Sequence, residues 1–584
     1  MGLFQKAVET YEYLNELAGK VTEGKALFAP IYHTVTKSQI EISLDPSGQF
    51  VDAEKNEISI IIPVTEASAN RAGIKAYLFT HPLCEQMKHL TRNPSFYLPQ
   101  LKQWIDSNSS HPKLAPVYQY VQMGTIENDL VSSGIEYNGN DLVRWRIIGL
   151  NDALPSACWE DPSLYQAHIR HTQEMNTDAV NDLCLITGRI SPLADKHPKT
   201  IVPFQANAKL ISSNDETNFT FRGRIADARE AATISQEATQ KAHNALRWLV
   251  ADQGVSFGGR TFLCWNPQGK KVASATGPFM RRSTPLIKPS DYREALHETL
   301  LGYRSELAAK DGVVIAAFDA ATPGRLSVTY YNELLGSDFL DRLHDWEEYC
   351  CWINGPFGIQ SPSLFQIACS AYGVQRKDKS GTKLVVDDRI LRQQMQRLIS
   401  CRIDKAQIPY DLVKSLVDHA SSPQSYEEDQ WRRILFTTCA ILNKYDHDKK
   451  GMKEMDWSLD RKDRSFQFGR LLAAMERVEA DYYYKTQEER QTSAIKAMSD
   501  FRQRPWNTYE RINRHLLQAY IPRIDDYQRR RYAQLKDEIV TILSQFPASE
   551  LNKPLSDAYL MGYDLQHAAF FEKKTNNTTT TEEE

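Results

Sequence analysis

An α+β N-terminal region followed by an all-α helical bundle is the fold class this sequence predicts, on three observations. Strand-like apolar runs recur as far as about Leu384 and then stop. Amphipathic helical stripes follow one another from Asp388 to Phe571. The chain of 584 residues is 41% hydrophobic and 10% aromatic, enough to fill more than one core.

Leu3, Phe4, Ala7, Val8, Tyr11, Leu14 and Leu17 fall at helical spacing on one face, and Gly19 is the expected stop. IEISL (Ile40 to Leu44) and ISIIIPV (Ile58 to Val64) read as strands separated by the turn signal DPSG at Asp45 to Gly48. LVRWRII (Leu142 to Ile148), TFLCW (Thr261 to Trp265), VVIAAFD (Val313 to Asp319) and RLSVTYY (Arg325 to Tyr331) add further strands. A helical stretch from Ala226 to Ala251 interleaves them. Beyond Leu384 the helical stripes are Leu391, Met395, Leu398 and Ile399; then Phe468, Leu471, Leu472, Met475, Val478 and Tyr482; then Tyr509, Ile512, Leu516 and Tyr520. Each must bury its apolar face against another helix, so a bundle is expected. The organisation predicted is 1–385 for the α+β region, 386–574 for the bundle and 575–584 for a disordered tail without apolar side chains.

Net charge is −4 with 25% charged residues, so the whole chain carries no nucleic-acid signal and any basic surface must be local. The nine cysteines are odd in number and form no CxxC pair, which argues against a disulfide framework or a cysteine-rich zinc site. The N-terminus has no charged-then-apolar signal pattern, and Lys6 breaks the myristoylation pattern. The longest apolar run, Val313 to Phe318, is six residues, far short of a membrane span. A soluble cytoplasmic protein is the expectation.

Catalytic patterns fail one by one. GVSFGG (Gly254 to Gly259) lacks the lysine and spacing of a phosphate loop and reads as a turn before a strand. HETLL (His297 to Leu301) has Leu301 where a zincin helix needs its second histidine. His168 and His171 stand three apart without a supporting carboxylate or cysteine. Asp446, Asp448 and Gly451 begin like a calcium loop, but Lys450 and Trp457 occupy ligand positions. The pair His344-Asp345 suits a metal-dependent phosphohydrolase, but further ligands cannot be assigned. No GxSxG elbow occurs, and Asp387-Asp388 reads as a helix cap. No enzyme activity, cofactor or metal is therefore expected.

From Lys485 to Lys536 there are 12 Lys/Arg against 6 Asp/Glu. Arg502, Arg504, Arg511, Arg514, Arg523 and the run Arg529, Arg530, Arg531 contribute most of it. Arg511 and Arg514 lie off the apolar stripe of their helix, where they suit a phosphate backbone. A solvated helix surface with mixed ion pairs explains the same pattern.

Seven stretches stand in a characteristic order: CLITGRISPLADKHP from Cys184, SSNDETNFTFRGR from Ser212, EATQKAHNALRWL from Glu237, RTFLCWNP from Arg260, TPGRLSVTYY from Thr322, FGRLLAAMERVEADYY from Phe468 and LMGYDLQHAAFF from Leu560. In that order and spacing, over about residues 3 to 572, the chain resembles the large subunit of type I-C CRISPR surveillance complexes (Cascade). The resemblance implies a subunit without nuclease activity, at the foot of the complex near the 5′ end of the guide RNA. It implies recognition of the protospacer-adjacent motif in duplex DNA, help in opening the duplex and holding displaced DNA, and recruitment of a separate helicase-nuclease. The implied partners are the guide RNA, target DNA, and the backbone, guide-end-binding and small subunits. It also implies separate synthesis of the C-terminal helices as a small subunit, for which Met452 and Met455 are candidate starts or else ordinary methionines. The chain departs from the family at TFRGR after Phe219 and, more loosely, at Pro356 to Gly373.

Three sets of DNA-contacting residues follow from side-chain chemistry. Asn70, Arg71 and Lys75, beside the small residues of EASANRAGIKAYLF, supply donors for a groove, or else belong to a surface loop. Arg222 and Arg224, near Arg229, suit phosphates or pair with Asp215, Asp227 and Glu230. Arg511, Arg514 and Arg530 suit single-stranded DNA. The competing function classes are a metal-dependent phosphohydrolase or nuclease at His344-Asp345 and a pure protein scaffold.

Overall fold

The computed structural model describes residues 2–65, 82–92, 94–150, 153–176, 179–205, 207–211, 232–281, 284–322, 324–379, 381–451 and 456–578. The chain forms two compact units, Met1–Val272 with Asp311–Leu334, and Ala273–Lys310 with Leu335–Glu584.

In the first unit, β1 (His33–Leu44) and β2 (Phe50–Pro63) form one long antiparallel hairpin. Asp45 makes its turn by accepting from the backbone N–H groups of Ser47 and Gln49 at 2.9 and 2.8 Å. Gly48 sits there at φ +77, and a Cβ on it would stand 2.8 Å from the Pro116 carbonyl. β3 (Cys84–Gln86) and β4 (Leu142–Ile147) complete a sheet of order β2-β1-β4-β3, with β4 parallel to β1. Ile40, Ile42 and Leu44 alternate into a core shared with Trp104, Val117, Tyr120 and Trp145. Arg144 is fully buried beside them, with its guanidinium on Glu41 and the Ser38 carbonyl. His168 is buried too, edge-on to His33 and Trp104, and desolvation holds it well below the usual imidazole range.

A second sheet has the order β10-β9-β8-β7, from β7 (Val255–Phe257), β8 (Arg260–Trp265), β9 (Gly312–Thr322) and β10 (Arg325–Leu335). Val314, Ala316 and Phe318 bury against Ala238, Ala242, Ala245 and Leu246 of the Gln236–Gln253 helix. Within GVSFGG the structure forms β7 itself, and the turn is only Gly258-Gly259, both at positive φ. Of the helical stretch expected from Ala226 to Ala251, the structure forms a helix from Gln236, where Ser235 caps it by accepting from Ala238 N–H, and residues 226–231 lie outside the described residues. The first helix, Leu3–Tyr13, likewise ends early: Leu14 leaves helical geometry and a 3-10 turn carries Asn15–Leu17.

The second unit opens with helices Pro289–Glu306 (α1) and Gly336–Tyr349 (α2) and two ribbons, Trp352–Ile353 with Ile359–Gln360 and Val374–Asp378 with Gly381–Val385. Beyond Val385 the regular elements among the described residues are all helical, so the predicted fold class holds. The main ones are α3 (Asp388–Ile403), α4 (Tyr410–Ala420), α5 (Glu428–Lys450), α6 (Arg464–Thr486), α7 (Pro505–Ala519), α8 (Asp526–Leu543) and α9 (Ala558–Thr578). α3 is capped by Asp387, whose carboxylate accepts from Arg389 N–H at 2.9 Å. Asp446 and Asp448 lie in the last turn of α5 and Gly451 is its left-handed cap, φ +61, so the apparent calcium loop is a helix end.

α6 and α9 cross without side chains between them. A Cβ on Gly469 would lie 2.8 Å from Tyr559 C and Tyr563 N, and one on Gly562 would lie 2.8 Å from Phe466 C. Beside the crossing, Arg432 of α5 stands 3.6 Å from Glu476 of α6, over the Trp431 ring and 3.1 Å from Nε2 of His567 on α9.

Candidate nucleic-acid interface

α7 buries Pro505, Thr508, Tyr509, Ile512 and Leu516, so one face is fixed against the bundle. That placement leaves Asn507, Arg511, Arg514 and Gln518, spaced i, i+4, i+7 and i+11, as an exposed polar stripe. Arg511 and Arg514 are therefore on one face, as the sequence implied. Arg511 is spoken for in part: its Nη2 lies 3.1 Å from Oδ2 of Asp500, an exposed pair worth little in water. Arg514 carries no ion pair among the described residues. Arg530 is on α8, also exposed and without an ion pair among the described residues, within reach of the i−4 position Asp526.

The surplus of positive charge in this stretch is thinner on the folded surface than in the sequence. Arg502 bridges Asp418 and Asp557 at 2.8 and 3.4 Å, and Arg490 pairs with Glu488 at 3.0 Å. Arg529 is held by Asp526 at 3.2 Å, and Arg531 lies over the Phe570 ring. Lys485, Lys496, Arg504, Arg514, Arg523 and Arg530 remain exposed without an ion pair among the described residues. Two aromatic rings accompany them: Tyr484 is 90% exposed and Tyr527 is 72% exposed. Exposed rings among unpaired cations suit base stacking and phosphate contact together. The run Tyr482-Tyr483-Tyr484 was the available signal for Tyr484, but only the structure separates it from Tyr483, whose hydroxyl is buried on that of Tyr520 at 2.9 Å.

Asn70, Arg71, Lys75, Arg222 and Arg224 lie outside the described residues, as do Arg229, Met452 and Met455. His344 and Asp345 sit on α2 and are both engaged: Nδ1 of His344 is 3.7 Å from Glu348 on the same helix, and Oδ2 of Asp345 takes Lys444 of α5 at 3.1 Å. Among the described residues, no three His, Cys, Asp or Glu side chains are grouped to hold a metal ion.

The family described as CRISPR-associated protein (Cas_Csd1) matches residues 8–571, nearly the whole chain. The chain belongs to this family. Csd1 is the family of the type I-C large subunit. No curated protein matches the chain. No helix among the described residues is long and apolar enough to cross a membrane.

Of the sequence stretches that carry the likeness to the Csd1 family, the described parts are divided between core and surface: Cys184 and His197 are buried, while Leu185 and Ile190 are 58% and 77% exposed. Cys184 lies in the core that the Gln236–Gln253 helix completes. Burial alone would raise its thiol, but hydrogen bonds from Ser235 and Thr187 bring it down to about 7. His197 and His243 meet at Thr239, and burial lowers them to about 4 and about 3, so both are neutral packing groups. FGRLLAAMER and LMGYDLQHAAFF are the two helices that cross at Gly469 and Gly562.

Proposed function

We propose that this Csd1-family chain is the non-catalytic large subunit of a type I-C RNA-guided DNA surveillance complex. The observation that carries this reading is the family match over residues 8–571. In this reading residues 1–385 recognise the guide end and the protospacer-adjacent motif in duplex DNA, with Asn70, Arg71 and Lys75 at a groove and Arg222 and Arg224 on phosphates. Residues 386–574 act as a small-subunit-like bundle. Its cations Arg514, Arg523 and Arg530, without an ion pair among the described residues, hold displaced single-stranded DNA during R-loop formation together with Tyr484 and Tyr527. The chain carries no chemistry of its own and recruits a helicase-nuclease that cuts. Its partners are the guide RNA and the other subunits of the complex, in the cytoplasm.

The division of labour is physical. Base pairing with the guide reads the long sequence, so the protein needs only a short duplex contact, phosphate contacts and a means of parting the first base pairs. The test is reconstitution of the complex with and without this chain on duplexes carrying a randomised flank beside the target. Enrichment of one short flank only when the chain is present is the expected result. Equal binding of all flanks with and without it refutes the assignment.

A further inference from the structure

A cleft of about 580 Å³ lies in the second unit, lined by no residue of α7. That volume is in the range of small-molecule sites. Three helix ends build it. α2 contributes Arg342, Asp345, Trp346 and Tyr349, and α5 with its cap contributes Lys444, His447, Asp448 and Gly451. Both sets have the spacing i, i+3, i+4, i+7, so each is one face of one helix. The third wall is the end of α3 and the turn after it, Cys401 to Gln407.

The ring of Tyr349 stacks on that of His447, with centroids 3.5 Å apart and planes 16° from parallel. Lys444 stands 5.6 Å from the Tyr349 centroid, but its charge is matched by Asp345 at 3.1 Å and Asp448 at 2.9 Å. Lys444 takes Oδ2 of Asp345 and Oδ1 of Asp448, which leaves one oxygen of each carboxylate for a donor from a ligand. Arg402 is turned to the Gly277 carbonyl and to Glu347. Two cations remain for an anion. Arg342 bonds the Ile403 carbonyl through Nη1, and Lys405 is exposed without an ion pair among the described residues.

Lys405 has φ +56, at the left-handed position after a helix where glycine is the usual residue. A glycine would relieve the backbone and bring no charge to the cleft. Trp346 closes the wall from within: it is 1% exposed, and its indole N–H is buried without a hydrogen-bond partner among the described residues.

We propose that this cleft binds a nucleoside phosphate, with the base against the Tyr349–His447 ring pair and the phosphate at Arg342 and Lys405. A flat ring pair, two cations without an ion pair among the described residues and two carboxylate oxygens for base N–H donors match that chemistry better than a simple anion, which would use only the cations. The ligand is either a free nucleotide or one nucleotide swung out of a single strand. The proposal uses neither guide nor duplex and stands apart from the reading of the α7 surface.

The test is calorimetry on the full chain with AMP, UMP, inorganic phosphate and a short single-stranded oligonucleotide. AMP or UMP should bind at least about tenfold more tightly than inorganic phosphate. Lys405→Glu and Tyr349→Ala should each weaken binding about tenfold or more, and Tyr349→Phe should preserve it. Lys405 is exposed, so its variant keeps the test valid if Tyr349→Ala lowers the melting temperature. The same pattern with the oligonucleotide alone identifies a strand as the source. Absence of binding, inorganic phosphate binding as tightly as nucleotide, or binding indifferent to Lys405→Glu overturns the proposal.

Discussion

The indole N–H of Trp352 donates to Oδ2 of Asp564 at 2.8 Å, and so ties the ribbon after α2 to the last helix of the bundle. Burial pushes the Asp564 carboxyl up to about 6, against Arg432 and this indole, which favour the anion. In the interval between its ordinary value near 4 and about 6, the folded chain holds a proton that the unfolded chain has released, so stability falls as pH rises through that window. Asp564→Asn should remove that slope and leave the chain more stable above pH 6. The full shift corresponds to about 3 kcal/mol, which partial solvent access reduces to about 1–2 kcal/mol. Urea midpoints of both proteins at pH 4.5 and pH 7 check this, and parallel pH profiles count against it.

The glycine crossing of α6 and α9 predicts a stronger effect. Gly469→Ala and Gly562→Ala each press a methyl against backbone atoms that cannot rotate away, at 2.8 Å. Each should cost about 1–3 kcal/mol, read as a lower urea midpoint at unchanged slope. Unaltered midpoints would mean that the helices do not approach this closely.

The arginines of α7 and α8 are not equal. In the assembled complex, Arg514→Ala and Arg530→Ala should each lower the slope of log affinity against log salt by about 1. Arg511→Ala should lower it less, because Asp500 already neutralises part of that charge. Identical slopes in all three variants favour a solvated surface without DNA.

At the other end of the chain, replacing Asn70, Arg71 and Lys75 together with glutamate should abolish motif-dependent duplex binding while the complex still assembles. Gel filtration reads assembly, and competition between motif and non-motif duplexes reads the contact. Retained discrimination removes these residues from the groove.

Much of the fold was legible because it is written in local pattern. The stripe Leu391, Met395, Leu398, Ile399 and the cap at Asp387 locate α3 to the residue. The hairpin of β1 and β2 was seen only at its apolar ends, because the half facing solvent, Phe50 to Glu57, alternates weakly and carries Asp52, Glu54, Lys55 and Glu57. Arg511 and Arg514 were visible as cations off an apolar stripe, but the Asp500 partner depends on where a preceding short helix turns back. The cleft was hidden altogether. Arg342 and Lys444 are about 100 positions apart, and neither helix alone signals a cavity.

The helix crossing also sets an order of events during synthesis. Gly469 and Gly562 are separated by about 90 residues, so α6 leaves the ribosome long before the surface that covers it. At roughly 5–20 residues per second, the nascent apolar face of α6, with Phe468, Leu471, Leu472 and Met475, waits roughly 5–20 s for α9. A chain stopped short of Tyr559 never closes that crossing, and its exposed helix becomes a substrate for chaperones and proteases.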